Sequence, residues 1–554
     1  MKSLLPEGLT FTEVKHLPIV KHFAQKINLV DTFDTMVNSQ MELSPGVAVL
    51  AMVLDTLSGR TPLYRLEEFF FEKDTELLLG TDVQPERFSD YNLGRVLDKI
   101  HQTGTQKIFS AIAQNAVTAF DIDAKRVHFD TTSVSVYGDY DYTDEPFNIT
   151  YGHSKDKRPD LKQFLISLLC VDRNIPILGT TEDGNASDKT LNNMLLGSVS
   201  KHMANHGLGP GAFVYVADSA FVTPDNLQSA DQRNIKFLTR LPATYKECSR
   251  SIGEAVAADN WIEIGTLNQT PATAKRKVAY YRGFETTVEL YERPYRAVVV
   301  HSSAHDKRRH KRIDRLLAQK RKKLESVCKQ LNANVYFCRA DAETAVNKLN
   351  AAAAGNYHQL QCEINKVAKY HRGRPAKDKP RIAIGYEYKL AVNITEDLSA
   401  VTPLRLEAGC FVLLCNISSD DNLWTAKELL MLYKDQSGIE QNFGFLKDPV
   451  IVNSIFLKKP HRIEVLGLIL LVSLLIWRLM ERCMRQYINS TGTMITGWKK
   501  RPTKRPTSFM MTTKFLQILV LKSGSKRQLA RPLRPVQLEF LQALNLSPDI
   551  FTVP

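Results

Sequence analysis

Three acidic residues that lie far apart along the chain could together catalyse phosphoryl transfer. Asp130 lies in the segment 128–132, Asp218 directly follows the run 214–217, and Glu440 lies in the C-terminal third. Three carboxylates on separate elements are what a site with two divalent metal ions needs. Oxygen ligands without a Cys/His cluster favour Mg2+, with Mn2+ as a substitute, over zinc. We therefore predict that all three bind metal and are catalytic, with Asp130 and Asp218 sharing one ion.

The glutamate belongs to a stretch with regularly spaced polar residues. Tyr433, Glu440 and Lys447 are each seven residues apart, which is nearly two helical turns, so they share one helix face. The residue before a proline resists the helical conformation, so Pro449 predicts a helix end near Lys447. Ser437-Gly438 weakens the middle of this helix. Taken alone, the stretch is more typical of a surface helix with scattered charges than of a catalytic helix.

Both aspartates are predicted to lie on or directly after β-strands. Residues 126–137 are rich in β-branched and aromatic types, and 212–217 form an apolar run that ends at Asp218. A carboxylate at such a place is costly unless it is paired or bound to metal. A helix N-cap is the structural alternative for Asp218, although Thr223-Pro224 is the better start signal for the next helix.

Asp130, Asp218 and Glu440 resemble the DDE triad of insertion-sequence transposases. The predicted helix resembles the Tyr-x2-Arg-x3-Glu-x6-Lys motif of the IS4 superfamily, with Tyr433 and Lys447 in place. The resemblance implies an α/β fold with an RNase H-like mixed-sheet core. It also implies a DNA transposase that cuts element ends and joins them to target DNA by two-metal-ion phosphoryl transfer, first through a nicked end. Its partners would be double-stranded DNA, namely terminal inverted repeats and target, and a second copy of the chain in a synaptic homodimer.

Gln436 stands where the family motif has arginine. Arginine offers phosphate a bidentate fork, whereas glutamine offers one neutral amide. Either a neighbour such as Lys434 compensates or this copy is weakened. Tyr433, Gln436 and Lys447 are predicted to contact DNA near the scissile phosphate.

Segments 151–163 and 184–188 resemble further elements of the IS1634 family. Their polar run contains His153, Lys155, Arg158 and Asp160, for which a structural turn and a DNA contact are both open. We count Lys155 and Arg158 among the candidate DNA contacts.

The core order also follows from local patterns. Strands are predicted at 164–171, 175–181 and 235–241, and helices from Ser187 to about 207 and from Thr223. The chain between Asp218 and Glu440 is longer than such a core needs, which predicts an insertion. The predicted regions are an N-terminal helical domain (1–120, implied by the resemblance to bind the element ends), the first part of the core (121–244), a β-rich and helical insertion (245–422), the second part of the core (423–486) and a basic C-terminal tail region (487–554).

Residues 305–370 of the insertion are predicted to be helical and charged. Lys307 to Lys323 contain ten Lys or Arg and one Asp, which suits either a solvated helix face or contact with DNA phosphates. The candidate contacts here are Arg308, Arg309 and Arg312. Arg372 and Arg374, in an Arg-Gly-Arg-Pro sequence, resemble the core of an AT-hook, although a loop is the simpler interpretation.

The composition agrees with a nucleic-acid partner, because the formal net charge is +14 and the pI is about 9.2. The eight cysteines are scattered without a Cys-x2-Cys pair, so their pattern indicates neither a zinc site nor a disulfide framework, which suits a reducing cytoplasm. The apolar run 465–477 is shorter than the ~20 residues of a membrane span, so we expect a buried core helix.

Three further residues have two interpretations each. His128 shares the strand face of Asp130, and a satisfied histidine near the sheet edge is favoured over a metal ligand. Trp424 and Trp498 could stack on a flipped base, but a packed side chain is favoured for both. Besides an active transposase, the sequence permits a weakened or co-opted DNA-binding copy, and less readily a stand-alone RNase H-like nuclease.

Overall fold

The computed structural model describes residues 9–59, 61–141, 146–267, 278–303, 306–353, 357–373, 381–418, 423–448 and 457–554. They form two compact units. The first contains the described residues of 1–239, 415–417 and 431–554, and the second those of 240–414 and 418–430.

The N-terminal elements are β1 (Leu9–Glu13), α1 (Leu17–Lys26), α2 (Leu29–Met36), α3 (Pro45–Thr56), α4 (Leu66–Phe71), α5 (Thr75–Leu79), α6 (Asp90–Thr103) and α7 (Thr105–Ala119). The next are β2 (Arg126–Val136), β3 (Lys162–Val171), β4 (Ile175–Glu182), α8 (Asp188–Ala204), β5 (Val214–Val216), α9 (Pro224–Gln232) and β6 (Lys236–Arg240). Then follow α10 (Lys246–Ala258), β7 (Ile262–Thr266), β8 (Tyr280–Leu290), β9 (Arg293–Ser302), α11 (Asp306–Ala333), α12 (Arg339–Ala353), β10 (His358–Lys369), β11 (Gly385–Glu396), α13 (Leu398–Ala408) and β12 (Cys410–Cys415). The last are α14 (Ala426–Asp435), α15 (Ser437–Leu446), α16 (Pro460–Thr491), β13 (Ile495–Thr496), β14 (Pro502–Thr503), α17 (Ser508–Lys514), β15 (Leu519–Ser523), β16 (Lys526–Leu529) and α18 (Pro535–Ala543).

The sheet strands of the first unit follow the order β4-β3-β2-β5-β6. β2, β3 and β4 are antiparallel neighbours, whereas β5 runs parallel to both β2 and β6. Asp172 and Arg173 make the tight turn between β3 and β4 with positive φ angles of 43° and 74°, a twist that suits a two-stranded hairpin. The chain is therefore a mixed α/β protein with a mixed sheet, as predicted.

Side-chain caps fix the helix starts next to this sheet. Ser187 Oγ accepts the Thr190 N–H at 3.2 Å before α8, and Thr223 Oγ1 accepts the Asn226 N–H at 3.3 Å before α9. Asp218 caps a separate 3-10 turn, Ser219–Phe221, by accepting the Ala220 N–H at 3.0 Å. Asp218 is thus a cap, but the cap of a short turn and not of α9.

Helix α16 is the buried core helix that the sequence predicts, but it is much longer than the run 465–477. It has 32 residues, and by length and composition it alone among the described helices could cross a membrane, yet 94% of its most apolar window is buried. The helix continues through Arg478 because this buried side chain pairs with Glu481 at 2.6 Å. It packs against β4 and the N-terminal helices, which identifies it as interior to the fold.

Residues 487–554, predicted as a tail, are folded into the first unit. β15 pairs antiparallel with β1 from Leu9 to Glu13, and Arg527 pairs with Asp74 at 2.6 Å with both side chains almost fully buried. These contacts involve residues that are more than 400 positions apart, so local composition could not reveal them.

In the second unit the sheet strands follow the order β12-β9-β8-β7, and β10 pairs separately with β11. The prediction that 305–370 is helical is correct only to residue 353, because residues 358–369 form β10. Leu360, Cys362 and Ile364 are half-buried and alternate with exposed polar residues. This period of two is the strand signal that the high charge of the region obscured.

Candidate functional site

Sheet register places Asp130 and Asp218 at the same level on neighbouring strands. His128 of β2 lies opposite Val216 of β5 in the parallel pairing. Each aspartate lies two residues beyond this pair, Asp130 within β2 and Asp218 just after β5. The parallel pairing of β2 and β5 therefore brings together two carboxylates that are remote in sequence.

The two carboxyl groups share an environment that disfavours negative charge. Burial, with smaller contributions from the charges of Asp218 and Asp188, raises the pKa of Asp130 to about 6 against the opposing effects of the Lys155 charge and the Thr131 N–H. Burial also raises the pKa of Asp218, again with a contribution from the charge of Asp188. Such a deficit of positive charge is what a bound dication would offset.

Asp188 is a third carboxylate beside this pair, and the sequence interpretation missed its place there. It is the first residue of α8, and its Oδ1 accepts a hydrogen bond from Thr131 Oγ1 at 2.5 Å. Thr131 directly follows Asp130, so this bond ties the start of α8 to the strand that carries Asp130. The only signal in the sequence was the position of Asp188 at a helix start, next to the segment 184–188.

Lys155, predicted to contact DNA, lies against the same strand. Its Nζ donates to Thr131 O at 2.8 Å and to Thr131 Oγ1 at 2.6 Å, and lies 3.3 Å from Asp188 Oδ1. The positive charge of Lys155 lowers the pKa of both Asp130 and Asp218. One ammonium group thus faces three carboxylates, which leaves the cluster with an excess of negative charge.

The helix that carries Glu440 is interrupted, although its predicted end at Lys447 is correct. α14 ends at Asp435 and α15 begins at Ser437, with Gln436 between them in helical backbone geometry (φ −53°, ψ −26°). The Gln436 N–H donates to Tyr433 O at 3.3 Å, three residues back, as in a 3-10 turn and not four residues back as in an α-helix. Tyr433 and Glu440 therefore lie on two successive helices that meet at Gln436.

Close packing against the β3–β4 turn positions α15. A Cβ atom on Gly438 would lie 2.4 Å from Arg173 O, so only glycine permits this approach. Asn442 Nδ2 donates to Asn174 O at 2.9 Å, and Arg478 Nε donates to Asn442 Oδ1 at 2.8 Å. The helix is thus fixed between the turn and α16.

Glu440 itself is exposed on α15. It lies one heptad before Lys447, whose Nζ is 2.5 Å from Asp156 Oδ1, so Glu440 and Lys447 occupy the same side of the helix. Among the described residues, no three Asp, Glu, His or Cys side chains lie close enough to hold a metal ion. The structure brings Asp130 and Asp218 together and does not join Glu440 to them. The carboxylates of the cluster fit Mg2+ or Mn2+ in donor type and in charge.

The other predicted DNA contacts divide into engaged, exposed and undescribed side chains. Arg158 makes a bidentate pair with Asp160, with Nη2–Oδ2 at 2.7 Å. Arg309 was predicted as a DNA contact, but its Nη1 donates to Ala408 O at 3.1 Å and Cys410 O at 2.9 Å, so we assign it a structural role. Arg312 and Arg372 are exposed. The side chain of Arg308 and all of Arg374 lie outside the described residues.

Two of the alternative interpretations were wrong. His128 lies on β2, between β3 and β5 and not at an edge, and its buried Nδ1 has no hydrogen-bond partner among the described residues. Burial and the charges of Arg173 and Arg126 lower its pKa to about 4. Trp498, for which packing was favoured, is 47% exposed, whereas Trp424 is half-buried.

Comparison with protein families gives two matches that together cover most of the chain. Residues 118–476 match the family model described as transposase DDE domain, and residues 9–114 match a domain of unknown function (DUF4277). No curated protein matches the chain significantly. The first match spans Asp130, Asp218 and Glu440 and more than half of the sequence. The chain therefore belongs to the family of DDE-domain transposases.

Proposed function

We propose that this transposase cuts the ends of an insertion sequence and joins them to target DNA by metal-dependent phosphoryl transfer. The observation that carries the proposal is the placement of Asp130 and Asp218 at one level of two parallel strands, with raised pKa values. Buried carboxylates whose mutual repulsion is uncompensated are typical of sites that bind divalent cations or perform acid–base chemistry. The DDE-domain family provides the reaction class.

In this proposal Asp130 and Asp218 hold Mg2+, or Mn2+ in its place, and Glu440 contributes the third carboxylate. The ions, when bound, supply Lewis-acid activation of a water or 3′-hydroxyl and neutralise the departing oxygen. Lys155 and Thr131 keep Asp188 oriented beside Asp130. Lys447, fixed by Asp156 on the Glu440 side of α15, supplies positive charge for phosphate, with Tyr433 and Gln436 as further DNA contacts.

We further propose an RNase H-like catalytic core formed by residues 121–244 and 423–486. The order β4-β3-β2-β5-β6, antiparallel for the first three strands and then parallel, supports it. The insertion 245–422 would add DNA contacts through Arg312 and Arg372. The N-terminal region would bind the element ends, and two copies would pair in the synaptic complex, in the cytoplasm where the DNA is.

A second candidate function is a DNA-binding copy that occupies element ends without moving them. Gln436 favours it, because the family motif has arginine there. Terminal inverted repeats and a short target duplication beside the gene would count against this candidate.

The direct test is cleavage of element-end DNA by the purified full-length chain in Mg2+. The wild type should nick the end, while Asp130→Ala and Asp218→Ala should lose activity by a factor on the order of 10³ or more. The matched control is Asp225→Asn, since Asp225 is an exposed carboxylate of α9. An Asp130→Ala protein that still cuts at the wild-type rate would refute the assigned site.

A further inference from the structure

A basic hairpin near the C-terminus is unused by the proposed chemistry. β13 and β14 pair through Ile495↔Thr503 and Thr496↔Pro502. The loop between them has the sequence Gly-Trp-Lys-Lys-Arg (497–501), and Lys504 and Arg505 follow β14 directly. We call residues 495–505 the basic hairpin.

The stretch of sequence that contains the basic hairpin lacks acidic residues over a long distance. Between Glu481 and Glu539 there is no Asp or Glu, and there are thirteen Lys or Arg. With 59 acidic residues in 554, a stretch of these 57 positions would contain about six. The composition therefore differs from that of an ordinary solvated surface, where both signs of charge are mixed.

Several of these cations elsewhere in the stretch have acidic partners, but those of the hairpin do not. Arg527 pairs with Asp74, and Arg482 with Asp172 at 2.6 Å. Within the described part of the chain, the side chains of the hairpin cations form no ion pair or hydrogen bond, and all are exposed: Lys499, Lys500, Arg501, Lys504 and Arg505. Their charges are available to an external anion.

The hairpin also presents an aromatic surface. Trp498 is 47% exposed at the loop and lies 6.0 Å, between ring centroids, from Phe509, which is 59% exposed. Lys514 Nζ lies 5.7 Å from the centre of the Trp498 ring. An exposed indole among unpaired cations is the combination by which proteins stack on bases while holding a phosphate backbone.

The loop is held in one shape, so these groups are presented in a fixed arrangement. Gly497 N–H donates to Arg501 O at 2.8 Å and Lys514 Nζ donates to Gly497 O at 3.2 Å. The Thr496 N–H donates to Glu539 Oε1 at 2.9 Å, which anchors the hairpin to α18. Lys499 and Lys500 have positive φ angles of 52° and 58°, a costly backbone state that a flexible loop would avoid.

We propose that the basic hairpin binds single-stranded or locally unpaired DNA, with Trp498 stacking on a base and Lys499, Lys500 and Arg501 contacting phosphates. The inference rests on the proposed function, which provides the DNA partner. The residues of this binding surface are remote in sequence from Asp130, Asp188 and Asp218. A duplex alone would use the cations but not the indole, because stacked bases expose no face.

The test measures binding of a fluorescent oligothymidylate to the full-length chain without divalent metal. Trp498→Leu keeps apolar bulk and removes stacking, whereas Trp498→Phe keeps an aromatic face. A triple variant, Lys499→Gln with Lys500→Gln and Arg501→Gln, removes charge. The matched charge control replaces exposed Lys201, Lys246 and Lys427 by Gln, and Phe71→Leu controls for loss of an exposed ring. Thermal unfolding confirms that each variant is folded.

We expect Trp498→Leu to weaken binding on the order of tenfold and Trp498→Phe to retain most of it. The triple variant should weaken binding and reduce the salt slope by about 2, since each phosphate contact on a single strand contributes about 0.7. Oligothymidylate should also quench indole emission in the wild type more than in Trp498→Phe. Both control variants should bind as the wild type does.

Wild-type affinity in Trp498→Leu, or an equal loss in the charge control, would overturn the inference. A second outcome would also overturn it: the wild type binds vesicles of anionic lipid but not oligothymidylate, and the triple variant no longer binds the vesicles. Asp130→Ala separates the two proposals, because it should bind oligothymidylate normally. If the hairpin variants bind normally while Asp130→Ala fails to cleave element ends, the hairpin inference fails and the proposed function stands.

Discussion

The strands that carry Asp130 and Asp218 and the helix that carries Glu440 are positioned by different kinds of interaction. The two aspartates are brought to one level by backbone pairing of β2 with β5, which sequence pattern can anticipate. Helix α15 is positioned by individual contacts of Gly438 and Asn442 with the β3–β4 turn and with Arg478. The first arrangement should tolerate side-chain changes nearby, and the second should be sensitive to single substitutions.

The largest expected effect on stability is at Arg478. Arg478→Ala removes the bond to Asn442 and leaves the Glu481 carboxylate buried without its closest cation. Breaking such a buried pair costs about 3–5 kcal/mol, which chemical denaturation can measure. The control is Arg158→Ala, at an exposed pair with Asp160, where little change is expected. An equal loss at both sites would contradict the anchoring role of Arg478.

Gly438→Ala tests the contact of α15 with the turn. A methyl group 2.4 Å from Arg173 O must displace the helix, and we expect destabilisation of about 1–3 kcal/mol together with reduced end cleavage. Gly444→Ala on the same helix has open space around its Cβ and should be neutral or stabilise by up to about 1 kcal/mol. If the two variants behave alike in unfolding and cleavage, the close approach does not position α15.

Asp130→Asn tests whether the ionised Asp130 carboxylate destabilises the fold when no metal is bound. A carboxyl whose folded pKa is raised to about 6 stabilises the fold at low pH, and this contribution is lost as the pH rises through about 6. In EDTA at pH 7 the variant should therefore be more stable than the wild type, by about 1–3 kcal/mol. The difference should vanish near pH 4. A less stable variant at pH 7 would show that the carboxylate is compensated in the folded state.

Gln436→Arg has the smallest expected effect. Arginine restores the bidentate phosphate contact of the family motif, so cleavage of element ends should rise severalfold with little change in stability. Gln441→Arg, at an exposed position of α15, is the matched control. Unchanged or lower cleavage in Gln436→Arg would mean that the departure from the motif is already compensated.

The strand order and the two aspartates could be predicted because apolar runs and turn residues are local signals. Residues 126–136 and 162–182 form three antiparallel strands that follow one another along the chain, and a short turn joins the second strand to the third. The cap residues Ser187 and Thr223 likewise act within three positions. Such features depend on few long-range contacts.

The partners of the aspartates could not be predicted, because they come from segments that fold back over β2. The Lys155 N–H donates to Ser133 Oγ at 3.1 Å, which seats the segment 151–161 beside Thr131 and so places the Lys155 ammonium there. The break at Gln436 and the exposure of Trp498 also depend on tertiary packing. The strand at residues 358–369 was missed for the same reason, because its partner strand begins only at Gly385.

Mn2+ binding to the full-length chain, measured by electron paramagnetic resonance with and without element-end DNA, tests the central claim most directly. The account predicts that the wild type binds Mn2+ and that Asp130→Asn and Asp218→Asn each abolish binding, while Glu440→Gln weakens it and Asp225→Asn leaves it unchanged. Binding should also weaken below about pH 6, where Asp130 gains a proton. Undiminished Mn2+ binding in Asp130→Asn and Asp218→Asn would contradict the assignment of these aspartates as metal ligands.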